Sequence, residues 1–130
     1  MQKLTNQAIL TSKLVKSGAI ISDRVKNAME LVDRIDFVKN KDKAYEDSPQ
    51  RIGSNVTISA PHMHGFAMEW LSDVIIPGSK VLDVGSGSGI LCALFYEMTE
   101  RKGKIIGLDH IDDLVKWSIE NLESSYKDAL

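Results

Sequence analysis

KVLDVGSGSGIL, residues 80–91, is the stretch that decides the fold. Lys80 to Val84 predicts a short strand, and Gly85, Gly87 and Gly89 follow it at once. Glycines let a chain turn tightly off a strand, and they let backbone N–H groups approach a ligand that a Cβ would push away. A helix then runs from Ile90 to about Glu100 with Leu91, Leu94, Phe95 and Met98 as its apolar face. Arg101 and Lys102 fall in its last turn, where the dipole favours cations, and Gly103 ends it. KIIGL, residues 104–108, is a second strand closed by Asp109. Strand, glycine loop, helix and strand form one βαβ unit with a right-handed crossover. Asp112 caps a last helix whose stripe is Val115, Ile119, Leu122 and Tyr126, flanked by Leu114 and Trp117.

The loop distinguishes between ligands. A phosphate-cradling Walker loop ends in Gly-Lys-Ser/Thr, whereas this one ends Gly89-Ile90. The dinucleotide fingerprint wants glycine where Ile90 stands, which argues against a nicotinamide-dependent oxidoreductase. The form present suits a nucleoside carrying an amino-acid tail. Asp83 can arrange the loop or reach an ammonium through water. Asp109, 20 residues after Gly89, can accept both ribose hydroxyls, and His110 and Ile111 can flank an adenine. The plain alternative is a structural strand-turn-helix with a solvent-facing Asp109.

Upstream, Thr5 to Lys16 predicts a helix with Ile9, Leu10, Leu14 and Val15 on one side and Gly18 as its stop. Ser22 caps a second helix from Asp23 to about Val32, with Val25, Ala28, Met29 and Val32 inward and Ile21 as a staple. Asp36 to Asn55 reads as a long surface loop, and Asp47 to Gln50 is turn chemistry. Val56 to Ser59 is a short β-branched run. Pro61 then opens a third helix to about Ile75, striped by Met63, Phe66, Ala67, Trp70, Leu71 and Val74. Thr57 to His64 is a second candidate site. Thr57 and Ser59 supply hydroxyl donors, and N–H groups at a helix start favour a carboxylate. His62 and His64 do not share a helix face, so no metal site is expected. Trp70 and Trp117 read as core or groove aromatics, and Cys92 as packed.

The chain has 130 residues, 16 basic and 18 acidic side chains, and a net charge of -2, which argues against a nucleic-acid binder working through bulk positive charge. The single cysteine excludes an intrachain disulfide framework. No apolar run reaches the roughly 20 residues a bilayer crossing needs. A cytoplasmic setting without membrane or nucleic-acid partners is the expectation.

DSPQ (47–50), TISAPHMH (57–64), LDVGSGSGIL (82–91) and IGLDHI (106–111) closely resemble protein-L-isoaspartate (D-aspartate) O-methyltransferases of the animal type. The resemblance begins near GAII at 18–21 and runs over nearly the whole chain. It implies a Rossmann-like class I methyltransferase fold, α/β, of which this chain holds the N-terminal part. The parts are an N-terminal helical segment and loop (1–55), an active-site segment and helix (56–78), and the first part of an S-adenosylmethionine-binding domain (79–130). It implies methyl transfer from S-adenosyl-L-methionine, leaving S-adenosyl-L-homocysteine, to the free carboxylate of isoaspartyl or D-aspartyl residues in damaged proteins, a repair reaction. Ser59 would be the active-site hydroxyl. Ile58, Ser59, His64, Asp83, Gly85, Ser86, Gly87, Gly89, Asp109 and His110 would line the cofactor, and Thr57, Ile58 and Ala60 the substrate. Family members run longer, into a third strand with an acidic Gly-Asp-Gly motif. The expectation is therefore a fragment or short isoform with open sheet edges, a monomer when complete and self-associating when short. The competing reading is a catalytically inactive methyltransferase-like fragment that serves as an interaction module or has no independent function.

Overall fold

The computed structural model describes residues 4–126; Met1 to Lys3 and Lys127 to Leu130, the outer ends of the first and last expected segments, lie outside the described residues. Side-chain caps start the first two helices, α1 (Asn6–Lys16) and α2 (Asp23–Leu31). The Thr5 hydroxyl accepts the Ala8 N–H, and the Ser22 hydroxyl accepts the Val25 N–H. Each satisfies a first-turn donor that has no partner within its helix. Gly18 follows α1 at φ 84°, the left-handed stop expected of it.

The buried face of α1 departs from the apolar stripe. Gln7, Leu10, Thr11 and Leu14 are buried, while Ile9 and Val15 are exposed. Gln7 can face inward because it finds a partner outside the helix, and Thr11 because it is satisfied within it. Gln7 Nε2 donates to the Met29 carbonyl at 3.1 Å, and the Thr11 hydroxyl donates to the Gln7 carbonyl at 2.9 Å. Ile21 is no staple, being 82% exposed. Its backbone N–H and that of Ser22 instead donate to Glu69 Oε1, each at 2.8 Å.

The stretch read as a long surface loop is structured. Two short 3-10 turns, Arg34–Phe37 and Lys41–Lys43, lead into strand β1 (Gln50–Gly53). Phe37, Val38, Ala44 and Ile52 from this stretch are buried. β1 pairs antiparallel with β2 (Val56–Ile58), Gln50 opposite Ile58. Ser54 and Asn55 make the turn at φ 53° and 58°, the positive angles that a two-residue hairpin turn of matching twist requires. Ile52 is the one buried residue of β1, so no alternation marks the strand in the sequence.

Helix α3 (Pro61–Trp70) starts at the expected proline and stops short of Ile75. It presents its other side to the core: Pro61, His64, Gly65 and Met68 are buried, whereas Met63, Phe66, Leu71 and Val74 are exposed. Trp70 is 83% exposed, which contradicts a core or groove role. The helix lies close on the Ala19–Ile20 link, since a Cβ at Gly65 would stand 3.2 Å from both the Ala19 carbonyl oxygen and Ile20 Cγ1. A side chain there would make the Ala19–Ile20 link give by a few tenths of an ångström.

The βαβ unit is as read. β3 (Lys80–Val84) and β4 (Lys104–Leu108) pair in parallel, Lys80 opposite Lys104 through to Val84 opposite Leu108, and α4 (Ile90–Met98) connects them. α4 packs between α2 and the strands. It ends at Met98, and Glu100 and Arg101 follow at φ 56° and 61°, so Arg101 lies past the helix. Gly103 does not end the helix. It is there because a Cβ would stand 2.6 Å from Thr99 Cγ2 and 2.9 Å from the Ser79 carbonyl oxygen. The Arg24 guanidinium joins the elements from below, donating to the carbonyls of Ser72, Ile75 and Met98. α5 (Asp112–Tyr126) buries Tyr126 as expected and packs Leu122 partly buried on the core, but Leu114 and Ser118, each one position before the expected Val115 and Ile119, are its other buried residues, with Ile119 exposed. The sheet face carrying Leu82, Val84, Ile106 and Leu108 is exposed, as two strands alone would leave it.

Candidate active site

The glycine loop is held by the strand beside it. The N–H groups of Gly85 and Ser86 both donate to the Leu108 carbonyl, at 2.7 and 3.1 Å. Gly85, Gly87 and Gly89 sit at φ 84°, 52° and 87°, a backbone that side chains with a Cβ rarely adopt. Asp109 completes the arrangement. Its Oδ2 accepts the Gly87 N–H at 3.0 Å and its Oδ1 accepts the Ile111 N–H at 3.1 Å. Burial raises the Asp109 pKa, but these backbone donors outweigh it and hold the carboxyl below its usual range. Asp109 therefore does not face solvent idly: its side chain is 6% exposed and it spans the loop. Asn121, from α5, adds a bond to the Ser88 carbonyl at 3.0 Å.

A cavity of about 80 Å³ joins this loop to the β2–α3 segment. Thr57, Ile58, Ser59 and His64 line one side of it, and Asp83, Gly85, Ser86 and Gly87 the other. A Cβ built at Gly85 would meet no atom within 4 Å, so the backbone there borders open space. The remaining expected residues, Ala60, Gly89, Asp109 and His110, are not among those that line this cavity. Ala60 is buried at the N-cap of α3. Gly89 faces α5, where a Cβ would come within 3.1 Å of Leu122 Cδ1. His110 is exposed, its Nδ1 3.7 Å from Asp109 Oδ1.

The charges are arranged by burial. Burial raises the Asp83 pKa, the Asp109 charge adds to that, and a Cys92 thiol contact at 3.9 Å opposes it. Cys92 is packed as expected. Burial first, then Asp83, push its thiol up to about 12. His64 is buried, and burial followed by the Arg34 charge lowers its pKa to about 3. His62 and His64 have different partners. His62 Nδ1 lies 2.8 Å from Asp47 Oδ1, while His64 Nδ1 lies 3.4 Å from Arg34 Nη1.

The sequence reading took Asp47 only as part of a turn and did not name Arg34 at all. Asp47 Oδ1 also accepts the His62 N–H at 3.0 Å, so the α3 N-terminus already holds a carboxylate of the chain itself. This corrects the expectation of open N–H donors there. Arg34, in the stretch after α2, is 2% exposed and donates to the Ser59 carbonyl at 2.9 Å. A single arginine in a polar stretch carries no periodic signal that would have found it. Trp117, the second tryptophan, is half-buried under Lys39 Nζ, 4.0 Å from its ring centroid.

Residues 4–130 match the family model described as protein-L-isoaspartate(D-aspartate) O-methyltransferase (PCMT). The chain belongs to this family. It is 48% identical over 116 residues to protein-L-isoaspartate O-methyltransferase 1 of Arabidopsis thaliana, covering 89% of this chain and 50% of that one. It is 41% identical over 121 residues to the protein-L-isoaspartate O-methyltransferase of Caenorhabditis elegans, covering 93% and 53%. Among solved structures, a Plasmodium falciparum chain described as a protein-L-isoaspartate O-methyltransferase in complex with S-adenosyl-L-homocysteine superposes with a TM-score of 0.88. Its identity is 37%, over 96% of this chain and 58% of that one. The chain thus spans about half the length of the relatives it matches. Its fold is the Rossmann-like α/β class I methyltransferase fold, over roughly the N-terminal half of the PCMT architecture.

Proposed function

We propose that the cavity between the β2–α3 segment and the glycine loop is the active site of a methyltransferase acting on L-isoaspartyl and D-aspartyl residues of damaged proteins and peptides. The observation that carries this is that Thr57, Ile58, Ser59 and His64, and Asp83, Gly85, Ser86 and Gly87, far apart in sequence, line one space. The residues present fit S-adenosylmethionine. Gly85 to Gly87, with Asp83, would take the amino-acid end. Asp109 keeps lone pairs for ribose hydroxyls beyond the two that serve Gly87 and Ile111. His110 and Ile111 would flank the adenine. When bound, this cofactor supplies an electrophilic methyl group.

The chain's own task is alignment. A substrate carboxylate is an anion at neutral pH, so it needs orientation and loss of water more than a base. The exposed hydroxyls of Thr57 and Ser59 are neutral donors that can orient it without quenching its nucleophilicity, with Ser59 as the active-site hydroxyl and Ile58 and Ala60 shaping the wall. Asp47 fills the α3 N-terminus, so side-chain hydroxyls, not the helix end, would hold the substrate. The animal-type likeness rests on the four segments 47–50, 57–64, 82–91 and 106–111, with 57–64 the most specific. Relatives from Arabidopsis thaliana and Methanopyrus kandleri match as well, which favours stating the function for the family at large. A cytoplasmic setting belongs to the same proposal; among the described residues no helix is long and apolar enough to cross a membrane. The exposed apolar face of the sheet favours one second reading, a non-catalytic interaction module.

Titration with S-adenosylhomocysteine, followed by amide NMR shifts, tests the site. The amides of Gly85 to Gly89, Asp109 and His64 are expected to move together and saturably. Shifts confined to other residues, or none, would overturn the assignment.

A further inference from the structure

Arg34 is a full cation placed where it contacts little water, and its groups are committed to the active-site wall. Nη2–H donates to the Ser59 carbonyl at 2.9 Å and Nη1–H meets His64 Nδ1 at 3.4 Å. Its backbone N–H donates to Gln7 Oε1 at 2.9 Å, and Gln7 Nε2 in turn donates to Met29. The arginine is thereby tied to α1 and α2. Its Nε is buried without a partner, a cost that only the contacts of the other two nitrogens offset. Burial lowers the Arg34 pKa to about 10, against the attraction of Asp47, so the group stays charged at neutral pH.

A guanidinium has donors and no acceptor. The imidazole nitrogen that faces it must therefore be the acceptor, which puts the ring proton on Nε2. We propose that Arg34 is a positioning residue that locks His64 in the Nε2–H tautomer and pins the Ser59 carbonyl, so that the cavity wall presents a neutral N–H donor suited to a carboxylate oxygen. The planar fork of arginine reaches both acceptors at once, which a lysine ammonium cannot do in the same geometry. The functional part of this inference rests on the cavity being the proposed methyl-transfer site; the tautomer does not.

The test has two arms. In the wild-type protein near neutral pH, nitrogen NMR of His64 is expected to show Nδ1 as the bare nitrogen and Nε2 as the N–H. A protonated Nδ1, or an average of the two tautomers, would overturn the proposal without any variant having to fold. In the second arm, Arg34→Lys and Arg34→Met are compared with wild type for S-adenosylhomocysteine affinity and thermal unfolding. A folded Arg34→Lys is expected to bind about tenfold more weakly, which is about 1.4 kcal/mol, with the His64 ring shifts altered. A lower melting temperature with unchanged affinity and unchanged ring shifts would make Arg34 merely structural and overturn the proposal. If the wild type itself binds no S-adenosylhomocysteine, the functional reading of the cavity fails, and the ring resonances still decide the role of Arg34.

Discussion

Acid should destabilise this protein through His64, before the bulk of its carboxylates titrate. In the folded chain burial and Arg34 hold the ring neutral down to about pH 3, whereas the unfolded ring protonates near its ordinary value of 6.5. Between those values the unfolded state takes up a proton that the folded state refuses. Stability contributed by the neutral ring is therefore complete above pH 6.5 and is lost as pH falls through the window towards 3. From about pH 7.5 to about pH 5 the linkage removes about 2 kcal/mol. With an m-value of about 2 kcal/mol per molar, the urea midpoint should fall by about 1 M. The assay is urea unfolding at both pH values, followed by far-UV circular dichroism, for wild type and His64→Gln. The amide of His64→Gln does not titrate, so the difference between the two slopes isolates the histidine. Equal pH dependence in both proteins would refute the reasoning, because it would mean that His64 protonates in place.

Other perturbations follow from the same geometry. Gly107→Ala puts a Cβ 2.9 Å from both Cys92 Sγ and Ser86 Cβ, and should cost about 1–3 kcal/mol in chemical denaturation as overpacking against the loop; an unchanged midpoint would contradict it. Asp109→Asn turns an amide donor towards the N–H of Gly87 or Ile111 and should lower stability by about 1–3 kcal/mol, together with S-adenosylhomocysteine affinity, whereas unaltered calorimetric binding would remove Asp109 from the site. The buried Cys92 thiol, pushed up to about 12, should resist a thiol-reactive disulfide reagent at mildly alkaline pH and react promptly in urea. Rapid reaction of the native protein would show that the α4–β4 packing opens.

The βαβ unit was legible because its signals are local. Gly85, Gly87 and Gly89 adopt the positive φ that glycine alone takes easily, and Asp109 closes β4 where its carboxylate reaches back to Gly87. The Ser22 cap was legible for the same reason, whereas Thr5, read as the first residue of α1, is its cap. What failed depended on distant partners. The apolar periodicity of α3 found a real helix but not its buried side, which is chosen by Gly65 against Ala19 and by His64 against Arg34. Gln7 turned the buried face of α1 away from Ile9 and Val15 because it found the Met29 carbonyl to donate to. β1 carries one buried side chain, and the pairings of Arg34 are all long-range, so neither leaves a repeating mark in the sequence.

The most direct measurement is transfer of labelled methyl from S-adenosylmethionine to an isoaspartyl peptide by the purified protein, beside the same peptide with normal aspartate. The account predicts transfer to the isoaspartyl peptide alone, and its loss in a folded Ser59→Ala variant, whose exposed hydroxyl makes no hydrogen bond among the described residues. Transfer that does not distinguish the peptides, or none from folded protein saturated with both ligands, would contradict it.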